Sequence, residues 1–340
     1  MDLVIAIGLL IIGFVVLIKG ADLLVEGASA IAKKFNISDI IIGLTIVSFG
    51  TSAPELVVNI GASIGGNNGM VFGNVLGSNI FNTCLILGIA GLIYPLAVQR
   101  NTAFKELPFS FFIILLVFAL GNDVMLFGAA ENTFSRIDGL ILLGLFGAFL
   151  YYVYSSAKND PAAQEEGAIE SMPMNKSLIY VATGMVGLVI GGQLVLDNAV
   201  FMASQFGMTD RVIGLTVVAI GTSLPELATS AVAAMKKNSD IAVGNVIGSN
   251  IFNVLLVLSM STAIAPTTYD TASNFDIYFL LGATVLLTIF LFIGTKSKGG
   301  RFTVDRWQAL ILLLAVVDYT VYVVVGKDIF MIIMFLIEST

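Results

Sequence analysis

GLTIVSFGTSAPEL at residues 43–56 returns as GLTVVAIGTSLPEL at 214–227. Thirty residues into each copy, GNVLGSNIFN at 73–82 returns as GNVIGSNIFN at 244–253. One offset of 171 residues, from 43 to 214, aligns 43–93 with 214–264 without a gap and with 24 identities in 51 positions. Shared hydrophobicity alone does not repeat the same Gly, Thr, Ser, Pro, Glu and Asn in the same order, so the chain is read as two copies of one unit. The fold then depends on how often each copy crosses a membrane.

The composition places the chain in a bilayer. Its 340 residues are 57% hydrophobic and 11% charged, against roughly 25% charged in a soluble domain, and the mean hydropathy is +0.98. Gly, Pro and charged clusters divide it into ten candidate spans, at 3–34, 38–64, 70–97, 105–121, 137–156, 176–206, 210–235, 240–265, 275–294 and 304–325. The apolar stretch Ile329–Ile337 is too short to cross and is read as an interfacial tail. The expected fold is therefore an all-α polytopic membrane protein of ten transmembrane helices. Residues 1–156 form the first five-span unit, 157–175 a linker, 176–325 the second unit and 326–340 the tail. An odd number of spans per unit sends the second copy into the membrane from the opposite side, which predicts inverted repeats, a transporter architecture.

Charge orients this arrangement. If the N-terminus is outside, alternate loops starting at Lys33 hold twelve Lys and Arg, and the opposite segments hold Arg136, Arg211 and Lys327. The excess marks the cytoplasmic side and predicts both termini outside, with the linker inside. No basic segment precedes the first span, so it is expected to be retained in a prokaryotic plasma (inner) membrane. The net charge of −7 is spread without a like-charged block, which argues against nucleic acid as a partner.

Zero histidines exclude Ser-His-Asp and Cys-His catalysis and imidazole metal sites. Cys84 is a lone, small residue expected to be buried, and no cofactor is expected. The polar content concentrates in the repeats. Ser48, Thr51, Ser52 and Glu55 fall on one helical face, matched by Thr222, Ser223 and Glu226, with Ala219 in the place of the first serine. Pro54 and Pro225 cannot donate to Gly50 and Gly221, so each helix should break beside its glutamate and free carbonyl oxygens. In the next span Asn74, Ser78 and Asn82 share a face, as do Asn245, Ser249 and Asn253. All of these are hard oxygen donors of the kind Ca2+ and Na+ take. The spacing of Gly73 with Gly77 and of Gly244 with Gly248 points to close helix packing. Asp22, Glu26 and Asp197 are read as solvated or helix-packing groups.

GTSAPE and GTSLPE, each followed by GNVxGSNIFN, resemble the two alpha-repeats of the cation/calcium antiporter superfamily, and most closely its prokaryotic sodium/calcium exchangers. The resemblance implies ion positions between spans two, three, seven and eight. By motif position it implies Glu55 and Glu226 bridging them, with Thr51, Thr222, Ser52, Ser223, Ser78 and Ser249 as hydroxyl ligands or neighbours. Ser48 and Ala219 would supply backbone oxygens, and Asn82 and Asn253 the central amides. Relatives that couple to potassium place an aspartate where Asn253 stands, so potassium coupling is not expected.

The expected mechanism is alternating access, in which one Ca2+ or several Na+ occupy the same pocket. Two carboxylates balance one Ca2+, whereas three Na+ leave one positive charge, so a 3:1 exchange would be electrogenic and would favour Ca2+ export. A tenfold Na+ gradient supplies about 1.4 kcal/mol per ion, and 100 mV about 2.3 kcal/mol per charge. Spans one and six are, by resemblance, the moving elements. The same pocket could serve a Ca2+/H+ antiporter, since both carboxylates could take a proton when the metal leaves. A cation channel fits an inverted repeat poorly, and a carboxylate hydrolase lacks a visible nucleophile. A monomer suffices to form the pocket.

Overall fold

The computed structural model describes residues 3–158, 172–206, 219–295 and 301–325. Helices α1 (Leu3–Phe35), α2 (Asp39–Thr51), α3 (Ala53–Ile64), α4 (Asn68–Ile93), α5 (Thr102–Gly121), α6 (Asp123–Phe127) and α7 (Arg136–Lys158) make up the first unit. The second contains α8 (Met174–Gln205), α9 (Ala219–Thr222), α10 (Leu224–Met235), α11 (Ser239–Ile264), α12 (Thr271–Ile293) and α13 (Arg306–Val325). Eight of these helices are each long and apolar enough to cross a bilayer, and α2 with α3 forms a ninth candidate bent by 46°. The expected seventh span begins outside the described residues, and α9 and α10 are its described part. The linker between 158 and 172 and the tail with Ile329–Ile337 likewise lie outside the described residues.

Helices α4 and α11 form the centre. In them 72% and 94% of the most apolar stretch is buried inside the protein, against 22–39% for the other long helices. Their sequences explain this, because both carry the GNVxGSNIFN motif and have no charged residue over its length. Each starts on an equivalent cap: the Asn67 side chain accepts from the Met70 N–H and the Asn238 side chain from the Ile241 N–H, satisfying a donor that the first helical turn leaves open. Just before these caps, Gly66 at φ 71° and Lys237 at φ 58° make the same left-handed turn at equivalent positions. Cys84 is fully buried in α4, as expected.

Helices α1 and α8 pack along each other with backbones almost touching. A Cβ on Gly13 would meet Val195, one on Gly20 would lie 2.7 Å from the Leu188 nitrogen, and one on Gly27 would lie 2.8 Å from the Ser177 oxygen. The partner number falls as the α1 number rises, so the two helices run antiparallel. Gly184 and Gly191 complete the seam from the other side, at 2.6 Å from the Leu24 nitrogen and 2.5 Å from the Leu17 nitrogen. Small residues bring backbones together here because lipid supplies no hydrophobic drive between helices.

Two short antiparallel ribbons tie the units together at loops. Strand β1 (Leu96–Val98) pairs with β4 (Phe302–Val304), with Leu96 opposite Val304. Strand β2 (Thr133–Phe134) pairs with β3 (Thr267–Thr268), with Thr133 opposite Thr268. Asp22 forms a half-exposed ion pair with Lys236 at 2.5 Å, and Asp197 accepts from Gln193 at 2.6 Å. Glu26 is exposed. All three therefore take the surface and packing roles read from the sequence.

The close packing read from the glycine spacing is seen in the second unit. Gly244 and Gly248 pack closely on α2, where added Cβ atoms would lie 2.8 Å from the Ile40 oxygen and 2.9 Å from the Leu44 Cα. Among the described residues nothing lies within 4 Å of such an atom on Gly73 or Gly77; residues 211 and 215, which correspond to Ile40 and Leu44 by the repeat offset, lie outside the described residues.

Candidate ion-binding site

The helix breaks arise at equivalent residues. Ser52 (φ −83°, ψ 3°) separates α2 from α3, and Ser223 (φ −87°, ψ 6°) separates α9 from α10. Pro54 and Pro225 then sit in the first turn of the following helix, where a missing N–H leaves no hydrogen bond unmade. Glu55 and Glu226 come one residue later, in the first turns of α3 and α10, where the positive end of the helix dipole favours a carboxylate. Both glutamates are buried, at 1% and 0% exposure, and lie within electrostatic reach of each other.

Each break is braced by an asparagine from the next helix of its own unit. The Asn74 amide donates to the Asn59 side-chain oxygen at 2.8 Å and reaches the Glu55 carbonyl at 3.5 Å. At the equivalent place, the Asn245 amide donates to Ser230 at 2.9 Å and to the Glu226 carbonyl at 3.3 Å. The oxygens of the same asparagines cross to the other unit. Asn245 Oδ1 accepts from Thr51 at 3.0 Å, and Asn74 Oδ1 from Thr222 at 3.5 Å. Ser52 donates to Glu226 Oε1 at 3.0 Å, Thr51 lies 3.4 Å from Ser249, and Ser223 donates to Ser78 at 3.3 Å. The Ser48 hydroxyl bonds the carbonyls of Gly43 and Asn245, while its own carbonyl accepts from Ser52 N–H and the Thr51 hydroxyl. Ala219, which opens α9, has no hydroxyl for the equivalent contact.

Helices α4 and α11 leave regular α-geometry at the site. Phe81–Ile86 and Asn253–Leu258 are π-helical, so Asn82 and Asn253 lie on equivalent wide turns, a distortion often found where backbone is reshaped for function. The π segment holding Asn253 packs against α3, the helix of Glu55, and the one holding Asn82 packs against α10, the helix of Glu226. Both asparagines are fully buried.

These residues leave several polar atoms unmatched. Glu55 Oε1 and Oε2, Glu226 Oε2, Asn82 Oδ1 and Asn253 Oδ1 are buried oxygens without a hydrogen-bond partner among the described residues. An uncompensated buried carboxylate costs several kcal/mol, and native interiors rarely tolerate an unpaired polar group without a reason. All five atoms are hard acceptors, and no cluster of three or more Asp, Glu, His or Cys exists among the described residues. That chemistry fits a Ca2+ or Na+ taken as cargo, with the hydroxyls of Thr51, Ser52, Ser78, Thr222, Ser223 and Ser249 beside it.

Face arguments overlooked Asn79 and Asn250. Asn79, fully buried, donates to the Asn250 carbonyl at 3.1 Å and accepts from the Asn253 amide at 3.1 Å. Asn250 in turn donates to Thr83 at 2.9 Å. The Asn79 contact engages the Asn253 amide nitrogen and so leaves its oxygen as the atom without a partner among the described residues. Asn79 follows Ser78 directly and so points about 100° away from it around the helix. The only sequence signal is its recurrence in GSNIFN.

A family model described as sodium/calcium exchanger protein matches residues 5–155 and 176–325. CaxA of Alkalimonas amylolytica, named as an antiporter, is 40% identical over 316 residues, covering 91% of this chain and 95% of that one. The sodium/calcium exchanger MaX1 of Methanosarcina acetivorans is 32% identical over 357 residues, covering 92% and 97%. A solved structure of the sodium-calcium exchanger NCX_Mj, soaked with Na+ and Sr2+, superposes with a TM-score of 0.79 at 30% identity, covering 95% of this chain and 98% of that one.

Proposed function

The chain belongs to the sodium/calcium exchanger protein family, and on that premise we propose that it is an antiporter that exchanges Na+ for Ca2+ at the Glu55 and Glu226 pocket. The observation that carries this reading is the set of buried, partnerless oxygens on Glu55, Glu226, Asn82 and Asn253. They come from both units, and the polar side chains around them are hydroxyls and amides besides the two carboxylates themselves. Two carboxylates neutralise one Ca2+, and the same atoms divided among several Na+ make occupancy mutually exclusive. Exclusive occupancy is what turns two separate fluxes into an exchange.

The protein is read as ten spans in two inverted halves, embedded in the prokaryotic plasma (inner) membrane with both termini outside. The antiparallel seam of α1 and α8 supports inversion, because Gly13 and Gly20 of α1 correspond by the repeat offset to Gly184 and Gly191 of α8. A pocket shared between such halves opens to alternate sides when one pair of helices slides across the other. With three Na+ moving per Ca2+, the exchange is electrogenic and runs toward Ca2+ export.

The test is 45Ca2+ uptake into proteoliposomes, comparing Na+-loaded with choline-loaded vesicles in choline medium, each with and without an imposed pH gradient. Uptake that requires internal Na+ and responds to membrane potential is expected. Uptake driven by internal acid alone would assign the protein to Ca2+/H+ antiport.

A further inference from the structure

Asp22 of α1 reaches Lys236, the residue that follows the last turn of α10. The Lys236 ammonium lies 2.5 Å from Asp22 Oδ1 and also donates to the Asp22 carbonyl at 3.2 Å. Two residues further on, the Asn238 amide donates to the Ser29 hydroxyl of α1 at 3.2 Å. Asp22 and Ser29 are seven residues apart and share a helical face, so two side-chain bridges tie that face of α1 to the turn between α10 and α11.

The repeat offset of 171 gives each bridge a counterpart between α8 and the turn between α3 and α4. For Asp22 and Lys236 the equivalent residues are Gln193 and Gly65, and for Ser29 and Asn238 they are Val200 and Asn67. Neither bridge can form there, because Gly65 has no side chain and the Val200 side chain has no polar atom. Gln193 instead donates to Asp197 of its own helix, and the Asn67 amide to the Met70 sulfur. The packing is one-sided in the same sense. Helix α1 packs along α10, with no comparable packing of α8 on α3 among the described residues. Val57 of α3 is 72% exposed, whereas its equivalent on α10, Ala228, is 9% exposed.

We infer that the Asp22–Lys236 pair, with the Ser29–Asn238 bond beside it, is a latch that holds α1 on α10 in one end state of the exchange cycle, and that the opposite end state has no latch. An inverted repeat gives two end states related by exchanging the roles of its halves. In this one α1 is seated on α10; in the other α8 is seated on α3 and α1 leaves α10. Leaving breaks the Asp22–Lys236 pair, and seating α8 forms nothing in its place. Two nearly equivalent states are thereby made unequal. Apparent affinity scales with the fraction of protein in the binding-competent state, so the latch favours ion binding from the side that this state opens and disfavours it from the other. The inference takes from the exchange reading only the motion of α1 and α8 across the core.

Spin labels report the position of α1 directly. In a Cys84→Ala background, cysteines replacing the exposed Phe35 at the end of α1 and the exposed Tyr154 of α7 carry the labels. Double electron–electron resonance then gives their separation in the full chain in nanodiscs, with Na+, with Ca2+ and with neither. Asp22→Asn and Lys236→Gln are each expected to move the ratio of α1 positions away from the latched one by about two- to fivefold, the range for a half-exposed ion pair. The charge exchange Asp22→Lys with Lys236→Asp should restore it, and Lys237→Gln, which removes a neighbouring cation without an ion pair among the described residues, should leave it unchanged. Distances unchanged in both single variants overturn the inference, as does a shift that the charge exchange fails to reverse or that Lys237→Gln reproduces. 45Ca2+ uptake is read on the same proteins: lack of Na+-driven uptake by the unaltered chain counts against the exchange reading, while the distances alone score the latch.

Discussion

Ser52 donates its hydroxyl hydrogen to the carboxylate of Glu226 at 3.0 Å, across 174 residues of sequence. The serine that breaks the first repeat thus serves the glutamate of the second. The equivalent serine does not return the contact, since Ser223 donates to Ser78. Two nearly identical motifs therefore give their two glutamates different surroundings. Glu226 has one oxygen satisfied, while Glu55 has neither.

This asymmetry makes the two serines unequal. Ser52→Ala removes a hydrogen bond to a charged group, worth about 1.5–3 kcal/mol, and is expected to weaken the apparent Na+ and Ca2+ affinities roughly tenfold or more. Ser223→Ala removes a hydroxyl–hydroxyl contact, worth about 1 kcal/mol, and should weaken them only a few-fold. The Na+ dependence of 45Ca2+ uptake compares them. Equal effects would mean that the cross-contact to Glu226 does not shape binding.

Neutralising either glutamate should be far more severe. Glu55→Gln and Glu226→Gln keep size and shape but remove half of the negative charge that balances Ca2+. At roughly 3–5 kcal/mol for breaking a buried charge pairing, exchange should fall by a factor of 100 or more. Both variants should still purify as folded protein. Wild-type exchange by either would show that the pocket lies elsewhere.

Potassium should not affect the exchange. The Asn253 amide donates to Asn79 at 3.1 Å and offers a neutral oxygen, so among the described residues the pocket carries two carboxylates and no third. Uptake by Na+-loaded vesicles is expected to be the same with K+ or choline outside. In Asn253→Asp an oxygen would face Asn79 Oδ1 in place of a donor, and uptake should fall unless the Asn79 amide turns over. A strict K+ requirement in the unaltered protein would contradict this assignment.

The α1–α8 seam should be intolerant of added bulk. A Cβ on Gly191 would lie 2.5 Å from the Leu17 nitrogen, a backbone atom that cannot turn aside. Gly191→Ala is expected to destabilise the protein by about 1–3 kcal/mol, seen as a lowered melting temperature in detergent. A Cβ on Gly144 in α7 would meet nothing within 4 Å among the described residues, so Gly144→Ala should leave the melting temperature unchanged or raise it. Equal melting temperatures for the two variants would show that the helices do not approach this closely.

Much of the architecture was legible before any coordinates. Runs of apolar residues marked the eight helices, and the bent ninth candidate, that are long and apolar enough to cross among the described residues, because a bilayer demands about 20 residues per crossing and internal satisfaction of the backbone. Pro54 and Pro225 announced the breaks, which fall two residues earlier, at Ser52 and Ser223, where the chain leaves helical geometry. The stripes at 48–55 and 74–82 placed the oxygen donors on shared faces. Spacing marked Gly73, Gly77, Gly244 and Gly248 alike, and the second pair meets the backbone of α2; spacing states which residues share a face, while the helix opposite decides what they meet.

The sequence by itself determined the membrane class, the duplicated plan and the hard-oxygen chemistry of the repeats. Those properties belong to composition and local periodicity, which each segment carries alone. The tertiary structure decided that Ser52 serves Glu226, that Asn79 engages the Asn253 amide, and that Asp22 of α1 pairs with Lys236 at the end of α10. Each of these joins residues on separate helices. Which atoms meet there depends on how helices cross and rotate against one another, a geometry set by the packing of all the helices together.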